Sequence, residues 1–172
     1  SSAAVTPHPA PRTRRDAHAP LSPYCSCTRH RPHPRAPSAR ADVAAALRNL
    51  AANNTANKDA VREAGGIAPL VRLLDGGHEA LSAQKAAGAL RNLAANNTAN
   101  QDLIRDAGGI APLVALLHAG PSAIATQESA AALANLAAGN AANKDAIRDA
   151  GAITPLLSLL QAGHTTEVAQ HA

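Results

Sequence analysis

LRNLAANNTAN fills Leu47–Asn57, and the same eleven letters return at Leu90–Asn100. A blurred third copy, LANLAAGNAAN, runs Leu133–Asn143. Each copy starts 43 residues after the one before, and so do Pro69, Pro112 and Pro155. Self-similarity at a fixed period of this size marks a stack of like units, each too thin to bury its own apolar face. The composition agrees: among 172 residues there is no Phe, Trp or Met and a single Tyr. A thick core built on aromatics is excluded, and thin layers of Leu, Ile, Val and Ala are expected.

Working outward from the repeated letters, one unit reads TANKDAVREAGGIAPLVRLLDGGHEALSAQKAAGALRNLAANN from Thr55 to Asn97. The punctuation predicts three helices per unit. A short first helix over Asn57–Ala64 stops at Gly65-Gly66, where Gly can take a left-handed cap. A second helix has Pro69 in its first turn, where the missing N–H costs little, and ends at Gly76-Gly77. A long third helix covers about His78–Ala95 and ends in Asn-Asn-Thr, a stop followed by a new N-cap. The expected organisation is a partial first unit at residues 42–54, whole units at 55–97 and 98–140, and a truncated unit at 141–172. No capping unit with a polar outer face is visible, so either the chain is part of a longer stack or its ends fray.

The turn GGIAPLVRLL and the helix GALRNLAANN, at this period, resemble the armadillo repeat. The resemblance covers residues 42–172, and the phrasing is most similar to vacuolar-protein-8-like and plant U-box ligase arrays. It implies an all-α, right-handed superhelix of three-helix layers. It also implies a concave groove lined by third helices, in which an asparagine of each third helix holds the backbone of an extended partner peptide. The matching residues are Asn49, Asn92 and Asn135. One carboxamide donates and accepts, so it pairs with a peptide's C=O and N–H without reading side chains. On the helical wheel Asn92 points away from Leu90 and Leu93, whose work is packing. The alternative is an asparagine that is solvated or bonded between repeats. With helices ~8–10 Å apart and ~3.3 Å per extended residue, three such positions would hold roughly five or six residues of ligand.

Beside the constant asparagines stands a changing column seven residues earlier: Asp42, Lys85 and Glu128, with His171 at the matching place in the last unit. A constant grip beside a variable charge would let the groove choose among sequences; an exposed position drifting freely is the alternative. Arg48 and Arg91 flank the asparagines and favour an acidic ligand, although Ala134 breaks the pattern. Nuclear-import adaptors of the family carry a Trp four residues before the asparagine. Ala45, Gly88 and Ala131 stand there instead, so adaptor function of that kind is not expected.

Residues 1–41 read differently. They hold eight of the twelve prolines, seven arginines and one acid, Asp16, whereas residues 42–172 hold nine Lys/Arg against eleven acids. The basic balance therefore belongs to the tail, which has too little apolar surface to offset the entropy of ordering and is expected to be disordered. Within it Cys25, Cys27, His30 and His33 are of zinc-ligand type, but their spacing does not fit a finger. The run Arg12–Arg15 is either solvated or a site for nucleic acid, acidic lipid or an import receptor.

No secretory leader, membrane-length apolar run or lipidation signal is visible, and the expected compartment is cytoplasm or nucleus. The Asn-x-Thr triplets at Asn53 and Asn96 are expected to be helix-end punctuation rather than glycosylation sites. His78, His118 and His164 lie near inter-helix loops without partners in the sequence. The acids Asp59, Glu63, Asp102, Asp106, Asp145 and Asp149 alternate with Lys58, Arg62, Arg105, Lys144 and Arg148. They read as a solvated, ion-paired face. No phosphate loop, nucleophile elbow or zinc helix appears, so neither enzyme activity nor a cofactor is expected. The expected function is a scaffold for an extended segment of a partner protein. The alternatives are the substrate-recognition part of a ubiquitin ligase, and nucleic-acid binding through the tail.

Overall fold

The computed structural model describes residues 39–76, 81–120 and 123–169, with side chains to residue 162. The tail features from Arg12 to His33, and His78, His164 and His171, lie outside the described residues or side chains. The helices are α1 (Ala39–Ala51), α2 (Thr55–Glu63), α3 (Ile67–Leu74), α4 (Leu81–Ala94), α5 (Thr98–Asp106), α6 (Ile110–Leu116), α7 (Ile124–Ala137), α8 (Ala141–Asp149) and α9 (Ile153–Ala169). Third helices α1, α4 and α7 pack side by side, α3 and α6 pack on α4 and α7, and first helices α2, α5 and α8 follow one another.

The core runs along this stack as columns spaced 43 residues apart. Leu90 and Leu133 form one column, Leu93 and Leu136 another, and Leu70 and Leu113 a third, all buried. Alanines 44, 83, 86, 87, 89 and 94 are likewise fully covered, so the third helices approach closely.

The repeated Asn-Asn-Thr is two devices in three letters. Asn53 and Asn96 have φ of 52° and 54°, and Gly139 takes the same place at 69°; this left-handed residue ends the third helix. The next residue, Asn54, Asn97 or Asn140, is the N-cap of the following first helix. Its side chain accepts from the N–H of Asn57, Asn100 or Asn143 at 3.0, 3.0 and 3.1 Å. Since Asn tolerates positive φ only with strain and a β-branched residue does not, Asn96→Val should lower the melting midpoint by the equivalent of about 1–2 kcal/mol. Asn96→Gly should leave it unchanged or raise it; thermal melts by circular dichroism check both.

The Gly-Gly after α2 and after α5 closes each of these helices. The N–H of Gly66 donates to Val61 O and that of Gly109 to Ile104 O, both at 2.9 Å. A methyl group at Gly109 would stand 2.8 Å from the Ile104 side chain. In the third unit Ala152 occupies this place, and its bond to Ile147 O is 3.3 Å long.

Two sequence expectations change, and the expected start of the third helix at His78 lies outside the described residues. First helices begin at Thr55 and Thr98, directly after the cap. In the last unit α9 continues as one helix past Gly163 to Ala169, where a break was expected. Earlier breaks use Gly-Gly and Gly-Pro; a lone glycine costs a helix only ~1 kcal/mol.

Candidate functional site

The last carbonyls of a helix have no partner within it, and the stack supplies partners from side chains. At the end of α4, Asn100 Nδ2 donates to Leu93 O (3.1 Å) and Gln101 Nε2 to Ala94 O (3.1 Å), while Lys58 Nζ donates to Ala95 O. At the end of α7, Asn143 Nδ2 donates to Leu136 O (3.0 Å) and Gln101 Nε2 to Asn135 O (3.0 Å). Lys58 is thus buried and bonded, which corrects its assignment to a solvated face. Its amine reaches back across the unit to an orphan carbonyl, and burial of the stem is offset by that bond. Of the other charges of the first helices, Lys144 is exposed, and the rest pair at the surface: Arg62 with Asp59 and Glu63, Arg105 with Asp102 and Asp106, and Arg148 with Asp145 and Asp149.

The N-caps also tie unit to unit. Asn97 Nδ2 donates to Asp59 Oδ1 at 3.0 Å, and Asn140 Nδ2 to Asp102 Oδ1 at 2.9 Å. The Asn97 amide, then Arg62, holds the Asp59 carboxyl below its usual value. A depressed carboxylate contributes stability above its unfolded value and loses it as pH falls through the folded one.

On the exposed side of the third helices the candidate asparagines form a ladder. Asn92 Nδ2 donates to Arg48 O at 2.8 Å, and Asn135 Nδ2 to Arg91 O at 2.9 Å. Each amide is therefore oriented by the helix before it. An amide has two N–H groups and an acceptor oxygen, so each half-buried asparagine keeps capacity for a ligand. Asn92 Oδ1 accepts only long bonds, 3.3 Å, from the Arg91 guanidinium. Asn49, on α1, is exposed, and its side chain has no partner among the described residues.

The structure brings three predicted residues together beside this ladder: Glu128, Arg91 and Arg48. Glu128, on α7, lies 2.8 Å from Arg91 Nη1 and 3.8 Å from Arg48 Nη1, across three third helices, with only 12% of its side chain exposed. The closer contact is out of line for a hydrogen bond, leaving Glu128 Oε2 an ion-pair partner only. Gly88 makes this crossing possible: a Cβ there would stand 2.9 Å from Arg48 Cδ and 3.3 Å from the Glu128 carboxyl. Lys85, half-buried on α4, has no ion-pair partner among the described residues, and Asp42 is exposed on α1.

The buried amides Asn100, Asn143 and Gln101 were not expected to matter. Their signal was in the letters: Asn57, Asn100 and Asn143 recur at the period of 43, and the next position, before the first acid of each helix, is a long donor, Lys58, Gln101 or Lys144.

With this geometry in view, the comparisons are consistent. The armadillo/beta-catenin-like repeat family matches residues 54–95 and 97–138. A search of curated protein sequences found none that matches. Among solved structures, the chain is similar to a designed armadillo repeat protein in complex with the peptide (KR)4, at 33% identity and a TM-score of 0.64, over 70% of this chain and 50% of that one. It is similar to computationally designed armadillo repeat proteins for modular peptide recognition, at 37% identity and 0.64, over 70% and 50%. It is also similar to the armadillo repeats only protein of Plasmodium falciparum, at 30% identity and 0.63, over 70% and 50%. The chain spans about half the length of these structures. The units at residues 54–95 and 97–138 match the armadillo repeat, and the fold is that of the armadillo solenoid.

Proposed function

We propose that the chain binds an extended segment of a partner protein along α1, α4 and α7, with Asn49, Asn92 and Asn135 as backbone clamps. The observation that carries this reading is the ladder. Two amides are held in one orientation by Arg48 O and Arg91 O, at the same place in successive units. A preset amide loses less freedom on binding. The designed relative with bound (KR)4 supports the same use of the fold. Side-chain preference differs here: Arg48 and Arg91 stand on the groove floor, and Glu128 occupies the space between them. The ligand class is accordingly a peptide with an acidic residue that competes with Glu128 for the two arginines. A substrate-recognition role beside a U-box elsewhere in a ubiquitin ligase would use the same groove.

The test is fluorescence anisotropy of the full chain with labelled octapeptides of alternating Glu-Ser, Lys-Ser and Gln-Ser. The Glu-Ser peptide should bind tightest, and Glu128→Gln should tighten it by about ten-fold, the scale of one charge-assisted contact. Asn49→Ala should weaken all binding without altering the thermal melt, because Asn49 has no intramolecular side-chain partner. Equal binding by wild type and Asn49→Ala would show that the ladder is structural only.

A further inference from the structure

The arginines beside the ladder carry more donors than the protein uses. A guanidinium has five N–H groups in a planar fork. The Arg91 side chain makes two hydrogen bonds among the described residues, both 3.3 Å long and both to Asn92 Oδ1. The Arg48 side chain makes none among them, and the nearer oxygen of Glu128 is 3.8 Å away. Glu128 answers both guanidiniums with one negative charge, and its Oε2 accepts no hydrogen bond. Arg48 and Arg91 are nevertheless 31% and 35% exposed. Both therefore keep accessible donors beside Asn92.

Lys85 gives Glu128 an alternative partner. The two hold the same place in successive units, on α4 and α7, which pack side by side. Helices in such contact run ~8–10 Å apart, a gap that two long side chains close. Lys85 is half-buried and has no ion pair among the described residues, and Asp42, its counterpart on α1, is exposed. With Glu128 turned to Lys85, two guanidiniums from different helices share one space with no counter-charge between them. Gly88 keeps that space open: a Cβ there would stand 2.9 Å from Arg48 Cδ.

We infer that Arg48 and Arg91 receive the phosphoryl group of a phosphoserine or phosphothreonine in the extended partner segment, and that Glu128 moves to Lys85 to admit it; this rests on the backbone clamp proposed above. Charge decides between the two kinds of anion. A ligand carboxylate brings one negative charge and only replaces Glu128. A phosphoryl group brings about −1.5 to −2 and three acceptor oxygens, which match two forks arriving from two helices. A phosphate on a short side chain also stays close to the backbone that Asn92, the neighbour of Arg91, would hold. Arg48 serves both parts, since its carbonyl orients Asn92 at 2.8 Å while its guanidinium reaches the site. Ala134 stands at the matching place on α7, so the described stack holds one such pair and reads one phosphorylated residue per segment.

Fluorescence anisotropy of the full 172-residue chain tests this with labelled Gln-Ser octapeptides that differ at one central residue: serine, glutamate or phosphoserine. The phosphoserine peptide should bind about ten-fold tighter than the glutamate peptide. Arg91→Gln should abolish that preference and leave the serine peptide as it was. Arg91→Lys, which keeps the charge and loses the fork, should cut the preference, and it serves if circular dichroism shows that Arg91→Gln loses helix. Lys85→Gln should weaken the phosphoserine peptide alone, and adding Glu128→Gln to it should restore binding. Equal binding of the phosphoserine and glutamate peptides overturns the inference, and the clamp still stands if Asn49→Ala weakens both. If none of the three peptides binds, inference and clamp fall together. A preference untouched by Arg91→Gln overturns the assignment of the arginines, and binding untouched by Lys85→Gln overturns the movement of Glu128. Displacement of the phosphoserine peptide by an equal concentration of inorganic phosphate, or by phosphatidylcholine vesicles carrying phosphatidylinositol phosphate, assigns the pair to a free or lipid-borne phosphate and overturns the peptide.

Discussion

Leu93→Ala lowers the stability of the stack by about 2–5 kcal/mol, while Leu50→Ala, the same residue of the repeat one unit earlier, changes it by no more than about 0.5 kcal/mol. Leu93 is wholly buried and Leu50 is 54% exposed. The truncation removes the same atoms from the same eleven-letter context, so sequence and helix propensity cancel between the two variants. What differs is the neighbour. Leu93 sits on α4, with α1 on one side and α7 on the other; Leu50 sits on α1, with α4 on one side only. The cavity left at Leu93 is enclosed and cannot collapse without moving both flanking helices. Urea denaturation measures both variants. A repeat stack can unfold from its ends, so the comparison is of midpoints and of whether one transition or two are seen. Similar losses at the two sites would mean that the α1 face is covered in solution even in the monomer.

That contrast also marks how far the sequence could be read. The period, the leucine columns and the caps were legible because each is a local signal: a glycine or asparagine that ends a helix, an asparagine that begins one, a leucine at helical spacing. The ladder asparagines were legible as a constant position on the outer side of the third helix. Their bonds to Arg48 O and Arg91 O were not, since donor and acceptor lie 44 residues apart. Nor was the placement of Glu128. Its charge could be read as part of a changing column, but its seat between two arginines depends on Gly88, whose missing side chain clears the path of Arg48. Lys58 was misread for a related reason. Lysine beside acids on a short helix is usually solvated, and only the packing within the unit shows that its amine finishes the third helix of the same unit.

Asn100→Ala is expected to cost about 1–3 kcal/mol, and Asn57→Ala no more than about 0.5 kcal/mol. Asn100 is fully buried, and its amide donates to Leu93 O at 3.1 Å and to Lys58 O at 3.4 Å. Without it, Leu93 O becomes a last-turn carbonyl with no water in reach, and such a group costs its desolvation in full. The Asn100 oxygen has no partner in the native structure, so its removal loses nothing and recovers a little. Ala also gains up to about 0.7 kcal/mol in helix propensity, which keeps the expected loss below that of breaking two good bonds. Asn57 makes the matching bond, to Leu50 O at 2.9 Å, but on an exposed face; there water replaces the amide. If the two variants lose equal stability in urea, the asparagine acts through its own helix, by propensity and capping. If only Asn100→Ala is costly, the letter is retained at each period because it joins the end of one helix to the start of the next, and the gain grows with the cover that neighbouring units provide. The second outcome is expected, and it gives the repeated AANNTAN a stacking role independent of any ligand in the groove.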